Sequence, residues 1–243
     1  MRLDLALVDR GLAPSRTQAQ AIIAADMVSI NGHIVTKAGA DVAETTTIEV
    51  AGGINPYVSR GGLKLAAALD HFAIDVTGKL CLDIGASTGG FTDCLIQRGA
   101  KHVNAIDVGH GQMTAAIAED PRVTSREGVN ARSITPSDFD HLFDIIVADL
   151  SFISVTLVLP AMANLAVKDG QFVILVKPQF EVGPSGIGKK GLVKDSRLRQ
   201  EALQRVKVCA EANELTVKGS MTSPITGGDG NEEFLLWLQK IEY

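Results

Sequence analysis

Four short apolar segments recur between helix-like segments from residue 62 onward. They are LCLDIG (80–85), HVNAID (102–107), FDIIVADL (143–150) and QFVILVKP (171–178). Runs of Val, Ile and Leu with little polar alternation are typical of strands that are covered on both faces. Strands that alternate with helices form mainly parallel sheets, and ligands bind outside the carboxyl ends of those strands. The pattern therefore predicts an α/β fold with a binding crevice at one edge of the sheet.

The stretches between and after these strands predict the remaining elements. Apolar residues at helical spacing indicate helices at 63–72, 90–99, 111–120, about 154–167 and 195–212. Two further strands are expected at 214–221 and 232–240.

The beginning of the chain follows a different pattern and predicts a small α+β unit. Leu3 and Leu7 share a helical face, and Ser15 followed by Gln18 has the spacing of a capping box. VSINGHIV (28–35) alternates around Asn-Gly, which is typical of a tight hairpin. We therefore expect three parts: a small domain at 1–50, a linker at 51–61 and a larger domain at 62–243.

The loop after the first strand of the larger domain indicates a ligand. Its sequence, DIGASTGG (83–90), is glycine-rich but lacks the GxGxxG spacing of a dinucleotide site. Asp83 lies inside the strand, where a carboxylate would repel a pyrophosphate and suit a cationic ligand. One strand later, Asp107 is placed to accept hydrogen bonds from ribose hydroxyls. The alternative is a tight turn with two solvated aspartates. Since two carboxylates at successive strand ends would be costly in a buried crevice without a ligand, the pair favours S-adenosylmethionine.

Composition excludes several classes of function. The chain has 243 residues and a net charge of −5, so a nucleic-acid site must come from a local basic cluster. It shows no signal-peptide pattern and no apolar run of the roughly 18–20 residues that a membrane span needs. Cys81, Cys94 and Cys209 form no CxxC pair, and the five histidines show no metal spacing. These features predict a cytoplasmic protein without a membrane or metal site.

Five segments in one order resemble a known enzyme family. They are DIGASTGGFT (83–92), DVGHGQM (107–113), ADLSFIS (148–154), VKPQFE (176–181) and GNEEFLLWL (230–238). They resemble the TlyA-type ribosomal RNA methyltransferases, also called the haemolysin A family, which are relatives of the FtsJ ribose methyltransferases. The resemblance implies a Rossmann-like domain that uses S-adenosylmethionine to methylate a cytidine 2′-hydroxyl in ribosomal RNA. It also implies that the first domain binds RNA, as ribosomal protein S-four does.

The resemblance also implies the residues of the site. A Lys-Asp-Lys-Glu catalytic group matches Lys64, Asp149, Lys177 and Glu233. Lys177 would orient or deprotonate the hydroxyl, and Asp149 would hold Lys177 and help to seat the methyl donor. Glu233 would anchor Lys64 or the ribose. The residues implied to contact the methyl donor are Asp83, Gly85, Ala86, Ser87, Gly89, Gly90, Phe91, Asp107, Gly109 and Asp149.

Basic residues at three places are expected to contact RNA. Residues 186–207 carry seven basic residues against two acidic ones, beside the strand end of the VKPQFE segment. Such an excess can neutralise phosphates near the site. The expected contacts are Arg16, Lys37, Arg60, Lys189, Lys190 and Arg197. Ribosomal RNA or ribosomal subunits are therefore the expected partners.

Other functions stay open from the sequence alone. They are a methyltransferase with another substrate, a membrane-active haemolysin, and an assembly factor with a vestigial pocket. Base-amine methylation is disfavoured because DLSF (149–152) lacks the prolines typical of that chemistry, and no cysteine lies on a loop suited to carbon-5 methylation. The resemblance also implies large-subunit RNA as the expected substrate, because this sequence lacks the terminal extensions of the family members that act on both subunits. The sequence indicates neither the modified nucleotide nor the oligomeric state.

Overall fold

The computed structural model describes residues 1–13, 15–24, 27–50, 55–188 and 191–241. The chain divides into two compact units, Met1–Pro56 and Tyr57–Tyr243.

The first unit packs two helices against a small antiparallel sheet. Its elements are α1 (Leu3–Asp9), α2 (Arg16–Ala24), β1 (Val28–Ile30), β2 (His33–Ile34) and β3 (Ile48–Val50). The strand order is β2-β1-β3. Asn31 and Gly32 have φ values of 50° and 80°, the left-handed conformations that a two-residue hairpin turn requires. Leu3, Leu7 and Ile23 lie fully or almost fully buried in its core, so the predicted helical face is the packed one.

The second unit is built on a sheet of seven described strands in the order β6-β5-β4-β7-β8-β10-β9. They are β4 (Leu80–Ile84), β5 (His102–Ile106), β6 (Val123–Arg126), β7 (Phe143–Ala148), β8 (Ala166–Val176), β9 (Leu215–Thr222) and β10 (Phe234–Lys240). The first five in this order run parallel, whereas β10 runs antiparallel to both β8 and β9. The predicted α/β fold with a mainly parallel sheet is confirmed.

Helices cover both faces of this sheet. They are α3 (Arg60–Phe72), α4 (Gly90–Gln97), α5 (Ala115–Ala118), α6 (Leu159–Ala163), α7 (Pro178–Glu181) and α8 (Ser196–Glu211). Neighbouring strand residues point to opposite faces. Accordingly, Leu82 and Ile146 belong to one buried cluster, and Cys81 and Ile145 belong to the other. None of the described helices combines the length and the apolar character that crossing a bilayer requires.

Three details differ from the sequence-based expectation. The helix expected at about 154–167 is a 3-10 turn at 155–157 followed by the short α6, and β8 already begins at Ala166. Strand β6 was not predicted, because its sequence VTSR has no apolar run. Residues 57–61, assigned to a linker, lie in the second unit. Tyr57 is buried there, and a side chain at Gly62 would collide with the Tyr57 ring.

Candidate active site at the carboxyl edge of the sheet

A fully buried carboxylate lies near the end of the central strand β4. Asp83 accepts a 2.6 Å hydrogen bond at Oδ2 from the hydroxyl of Thr92, on α4. Its other oxygen, Oδ1, is buried and receives no hydrogen bond from any described residue. The pKa of Asp83 is raised to about 7, mainly by burial and also by the nearby carboxylates of Asp149 and Asp107, although the hydrogen bond from Thr92 opposes the rise. A cationic group beside Oδ1 would stabilise the ionised form.

Glycines let the backbone of the loop after β4 approach its neighbours closely. Gly85 has a φ of +84°, and a side chain there would collide with the main-chain oxygen of Asp149. Gly90 begins α4, and a side chain there would collide with the Ser59 hydroxyl. Ser87 also adopts a positive φ of 47°. These residues therefore form a tight turn from β4 into α4, and Gly85 packs this turn against the main chain that follows β7.

Asp107 ties the next strand end to the same turn. Its Oδ2 accepts a 2.8 Å hydrogen bond from the amide of Ser87, and its Oδ1 accepts a 2.7 Å bond from the amide of Gly109. A side chain at Gly109 would collide with the Gln112 amide group. Asp107 thus shapes the loop while remaining partly exposed beside Val108, which is 71% exposed.

Lysine and aspartate meet where β7 and β8 end. The ammonium of Lys177 lies 2.7 Å from Asp149 Oδ1 and donates a 2.8 Å hydrogen bond to the Ser151 hydroxyl. Lys177 directly follows β8 and Asp149 directly follows β7, so the parallel register brings the two side chains to one edge. The Lys177 ammonium is therefore fixed from the side of the β7 loop.

A second lysine forms a buried ion pair nearby in the same unit. Lys64 Nζ on α3 lies 2.5 Å from Glu233 Oε2, and the two residues are only 8% and 2% exposed. Glu233 comes just before β10, whose first residue, Phe234, pairs with Val176 at the end of β8. This pairing places Glu233 beside Lys177 at the same edge of the sheet. The neighbouring Glu232 instead binds Arg199 on α8 at 3.1 Å.

The other residues expected to contact the methyl donor take different positions. Ala86 is buried in the turn, and Gly89 has a φ of +95° before α4. Phe91 is 3% exposed and packs its ring into a core cluster, so only its main chain remains at the turn. The side chain of Phe91 is thus part of the core.

The residues expected to contact RNA differ in their exposure and in whether they already form ion pairs. Arg16 on α2 binds the buried carboxylate of Asp4 at 2.9 Å, and Lys37 is exposed. Arg60 is exposed one turn before Lys64 on α3, and Arg197 is exposed with only long contacts of 3.6 and 3.9 Å to acidic side chains. Lys189 and Lys190 lie outside the described residues.

Sequence reasoning missed an aromatic pair beside Lys177. The ring of Phe152, in the loop after β7, lies 5.4 Å from the ring of Phe180 on α7, centroid to centroid. Phe152 is 92% exposed and has a φ of +64°, which is unusual for a residue with a side chain. Its position inside the ADLSFIS segment, directly after Asp149 and Ser151, was the one available signal.

The site holds two lysine–carboxylate pairs, which suit proton transfer. It also holds an acidic cradle, formed by Asp83, Asp107 and the glycine-rich loop after β4, which suits binding of a cation. In the part of the chain that the structure describes, no group of three or more His, Cys, Asp or Glu side chains is arranged to bind a metal ion.

Comparisons with known proteins agree with this geometry. Residues 57–240 match the FtsJ-like methyltransferase family, and residues 1–48 match the S4 domain. The 16S/23S rRNA (cytidine-2′-O)-methyltransferase TlyA of Mycobacterium tuberculosis is 46% identical over 239 residues, covering 98% of this chain and 89% of that protein. The 23S rRNA (cytidine-2′-O)-methyltransferase TlyA of Campylobacter jejuni is 33% identical over 260 residues, covering 99% of this chain and 100% of that protein.

A solved structure shows the same similarity in three dimensions. A protein from Streptococcus thermophilus, named as a hemolysin, matches with a TM-score of 0.80 and 43% identity. The match covers 100% of this chain and 89% of that one.

Proposed function

The chain belongs to the FtsJ-like methyltransferase family, and from this membership we propose that it methylates the ribose 2′-hydroxyl of a cytidine in ribosomal RNA, with S-adenosylmethionine as the methyl donor. The observation that carries the proposal is the Lys177 ammonium, held between Asp149 and Ser151 at the carboxyl end of β8. A ribose hydroxyl is a weak nucleophile, and such a fixed lysine can orient it for in-line attack.

The acidic cradle fits a cationic methyl donor. Asp83 has one buried oxygen without a hydrogen bond from any described residue and a pKa raised to about 7, so a positive charge there would relieve an unfavourable burial. The turn that contains Gly85 leaves no room for side chains. Asp107 and the exposed Val108 follow at the next strand end, where a ribose and a flat base can lie. When bound, S-adenosylmethionine supplies an electrophilic methyl group.

The residues of this chain then handle the hydroxyl. In its neutral form, Lys177 would take the proton of the 2′-hydroxyl as the hydroxyl oxygen attacks the methyl group that the donor supplies, and it would later release that proton to solvent. Asp149 stabilises the ammonium that results, since its carboxylate lies 2.7 Å away. Glu233 anchors Lys64 in a buried ion pair, which keeps a second cation close to the sheet edge.

An exposed aromatic surface beside the lysine favours a nucleobase as the neighbouring group. Phe152 offers its face to solvent and is supported by Phe180. Aromatic side chains bind unstacked bases by stacking, which is how single-stranded or flipped nucleotides are commonly held. Arg60 and Arg197 are exposed and suited to phosphates, and the S4 domain matched by residues 1–48 supports RNA as the partner.

Methyl transfer from labelled S-adenosylmethionine to separated ribosomal subunits and their naked RNAs tests the proposal. We expect label in RNA, and the relatives' names, which include both 16S and 23S RNA, make the comparison of subunits informative. A 2′-deoxy nucleotide at the labelled position should abolish the transfer. Label that persists on the deoxy substrate would place the methyl group elsewhere. Lysis of red cells by the same preparation would support a membrane-active protein instead.

A further inference from the structure

A further buried carboxylate, that of Glu181, lies close to the proposed site without taking part in it. Glu181 ends α7, four residues after Lys177 in the sequence, and is only 3% exposed. Both of its carboxylate oxygens are used. Oε2 accepts a 2.6 Å hydrogen bond from the Ser154 hydroxyl, and Oε1 accepts a 2.8 Å bond from the Val155 amide. Burying a carboxylate is unfavourable unless such bonds compensate it, so this placement is specific.

The contacts of Glu181 complete a series that joins two segments. One segment is the loop after β7, residues 149–155, and the other is residues 177–181. Lys177 contacts the start of the loop, the rings of Phe152 and Phe180 meet in its middle, and Glu181 binds its end. The loop that carries Asp149 is therefore held to the segment that carries Lys177 along its whole length.

The middle of this loop cannot hold its own shape. Phe152 has a left-handed backbone conformation, which is unfavourable for a residue with a side chain and persists only where the surroundings impose it. At 92% exposure, the Phe152 side chain buries too little surface to supply that restraint. The hydrogen bonds from Ser154 and Val155 to Glu181 are the nearest strong restraint on its carboxyl side.

We propose that Glu181 is a positioning residue for methyl transfer: its carboxylate fixes the loop after β7, and through it the Asp149–Lys177 pair and the Phe152 ring. The inference rests on the proposed function, because the positioned groups are those that would act on the ribose. Glu181 itself does not touch the reacting atoms.

Another hydrogen bond to the same residue provides a matched control. Arg205 on α8 donates to the main-chain oxygen of Glu181. Replacing Arg205 with alanine removes an anchor of α7 but leaves the Glu181 carboxylate on Ser154 and Val155. Comparing E181A with R205A therefore separates restraint of the loop from general anchoring of α7.

The kinetic test uses the full chain and the ribosomal subunit or RNA that accepts the methyl group in the assay described above. We expect E181A to lower kcat roughly 10- to 100-fold, the scale of a small misplacement of reacting groups. The Kd for S-adenosylhomocysteine, measured by calorimetry, should change less than about twofold. E181Q should restore most of kcat, because its amide can accept from Val155 and donate to Ser154. S154A and E181A should be strongly non-additive when combined. An unchanged kcat in E181A, or an equal loss in R205A, would overturn the proposal.

Hydrogen exchange tests the same inference without activity. In the free protein, amides of residues 149–158 should exchange faster in E181A than in wild type, while those of residues 80–90 should not change. Equal exchange of residues 149–158 in the two proteins would overturn the proposal. If wild type instead transfers no methyl group to any ribosomal RNA, the proposed function fails, and the exchange result still decides whether Glu181 holds the loop.

Discussion

Lys177 and Asp149 form an ion pair across two neighbouring strand ends, with 2.7 Å between Nζ and Oδ1. The pair depends on the parallel register of β7 and β8, which places residues that directly follow both strands at one edge. Ser151 accepts a second contact from the same ammonium, so the lysine is held from one side and its remaining face is available to a ligand.

Replacing Lys177 with alanine should abolish methyl transfer while sparing binding of the methyl donor. We expect kcat to fall roughly 10²- to 10⁴-fold, the usual contribution of a positioned acid–base group. The Kd for S-adenosylhomocysteine should stay within a few fold of the wild-type value. K101A, which removes an exposed lysine at the start of β5, is the matched control and should keep full activity. Substantial turnover by K177A would remove the lysine from the mechanism.

Replacing both members of the Lys64–Glu233 pair should restore stability without restoring activity. K64M and E233L each leave a buried charge unpaired, so each should lower the free energy of unfolding by about 3–5 kcal/mol, as followed by urea denaturation. The double variant should recover most of this loss, because two apolar side chains replace the pair, yet it should remain inactive. A double variant that is no more stable than the single variants would show that their loss of stability does not come from an unpaired buried charge.

Asp83 should make the protein less stable as the pH rises. Burial raises its pKa to about 7 from an ordinary value of 3.8, so the folded protein keeps a proton that the unfolded chain releases. The free energy of unfolding therefore loses a contribution between about pH 4 and pH 7. D83N has no such group, so its stability relative to wild type should increase across that range in urea titrations. If the difference in the free energy of unfolding between D83N and wild type stays constant over this pH range, the raised pKa of Asp83 is contradicted.

The same carboxylate should make binding of the methyl donor depend on pH. A cation favours the ionised form of Asp83, so the affinity for S-adenosylmethionine should rise as the pH increases toward about 7. Calorimetry should show weak and nearly pH-independent binding for D83N. S-adenosylhomocysteine, which lacks the sulfonium charge, is the control ligand and should show a smaller dependence. Identical profiles for the two ligands would argue against recognition of the sulfonium, because both ligands also carry the α-ammonium.

Removing the exposed ring of Phe152 should weaken RNA binding without affecting the methyl donor. Base stacking on an aromatic side chain contributes about 1–3 kcal/mol. F152A should therefore raise the KM for RNA roughly 5- to 150-fold. F152Y keeps the ring and should behave nearly as wild type does. An unchanged KM in F152A would exclude the ring from substrate contact.

Arg60 should contribute one phosphate contact. R60A should reduce the slope of log K against log salt for RNA binding by about 0.7–0.9, the value for one neutralised phosphate. R122A is the control, because Arg122 already binds Asp120 at 2.7 Å. Fluorescence anisotropy over a salt series measures both slopes, and parallel lines for R60A and wild type would exclude the contact.

The sequence predicted the elements whose signal is local or strongly apolar. The buried strands β4, β7 and β8 were evident from their runs of Val, Ile and Leu, and Asn31-Gly32 marked the first hairpin. Strand β6 escaped because an edge strand needs no apolar run. Phe152 and Glu181 escaped because their positions depend on how the loop after β7 packs against α7, and no sequence period encodes that contact. Thr92 belongs to the DIGASTGGFT segment, but its bond to Asp83 is evident only in three dimensions.

The reversed direction of β10 has a practical consequence for handling the protein. Phe234, at the start of β10, pairs with Val176 beside the candidate active site. Lys240, at the end of β10, bonds to Ala166 at the opposite edge of the sheet. The end of β10, at Lys240, therefore lies on the side remote from Glu233. A dye or surface tether introduced at this end of β10 would leave the edge that carries Glu233 open in single-molecule or biosensor work on this enzyme.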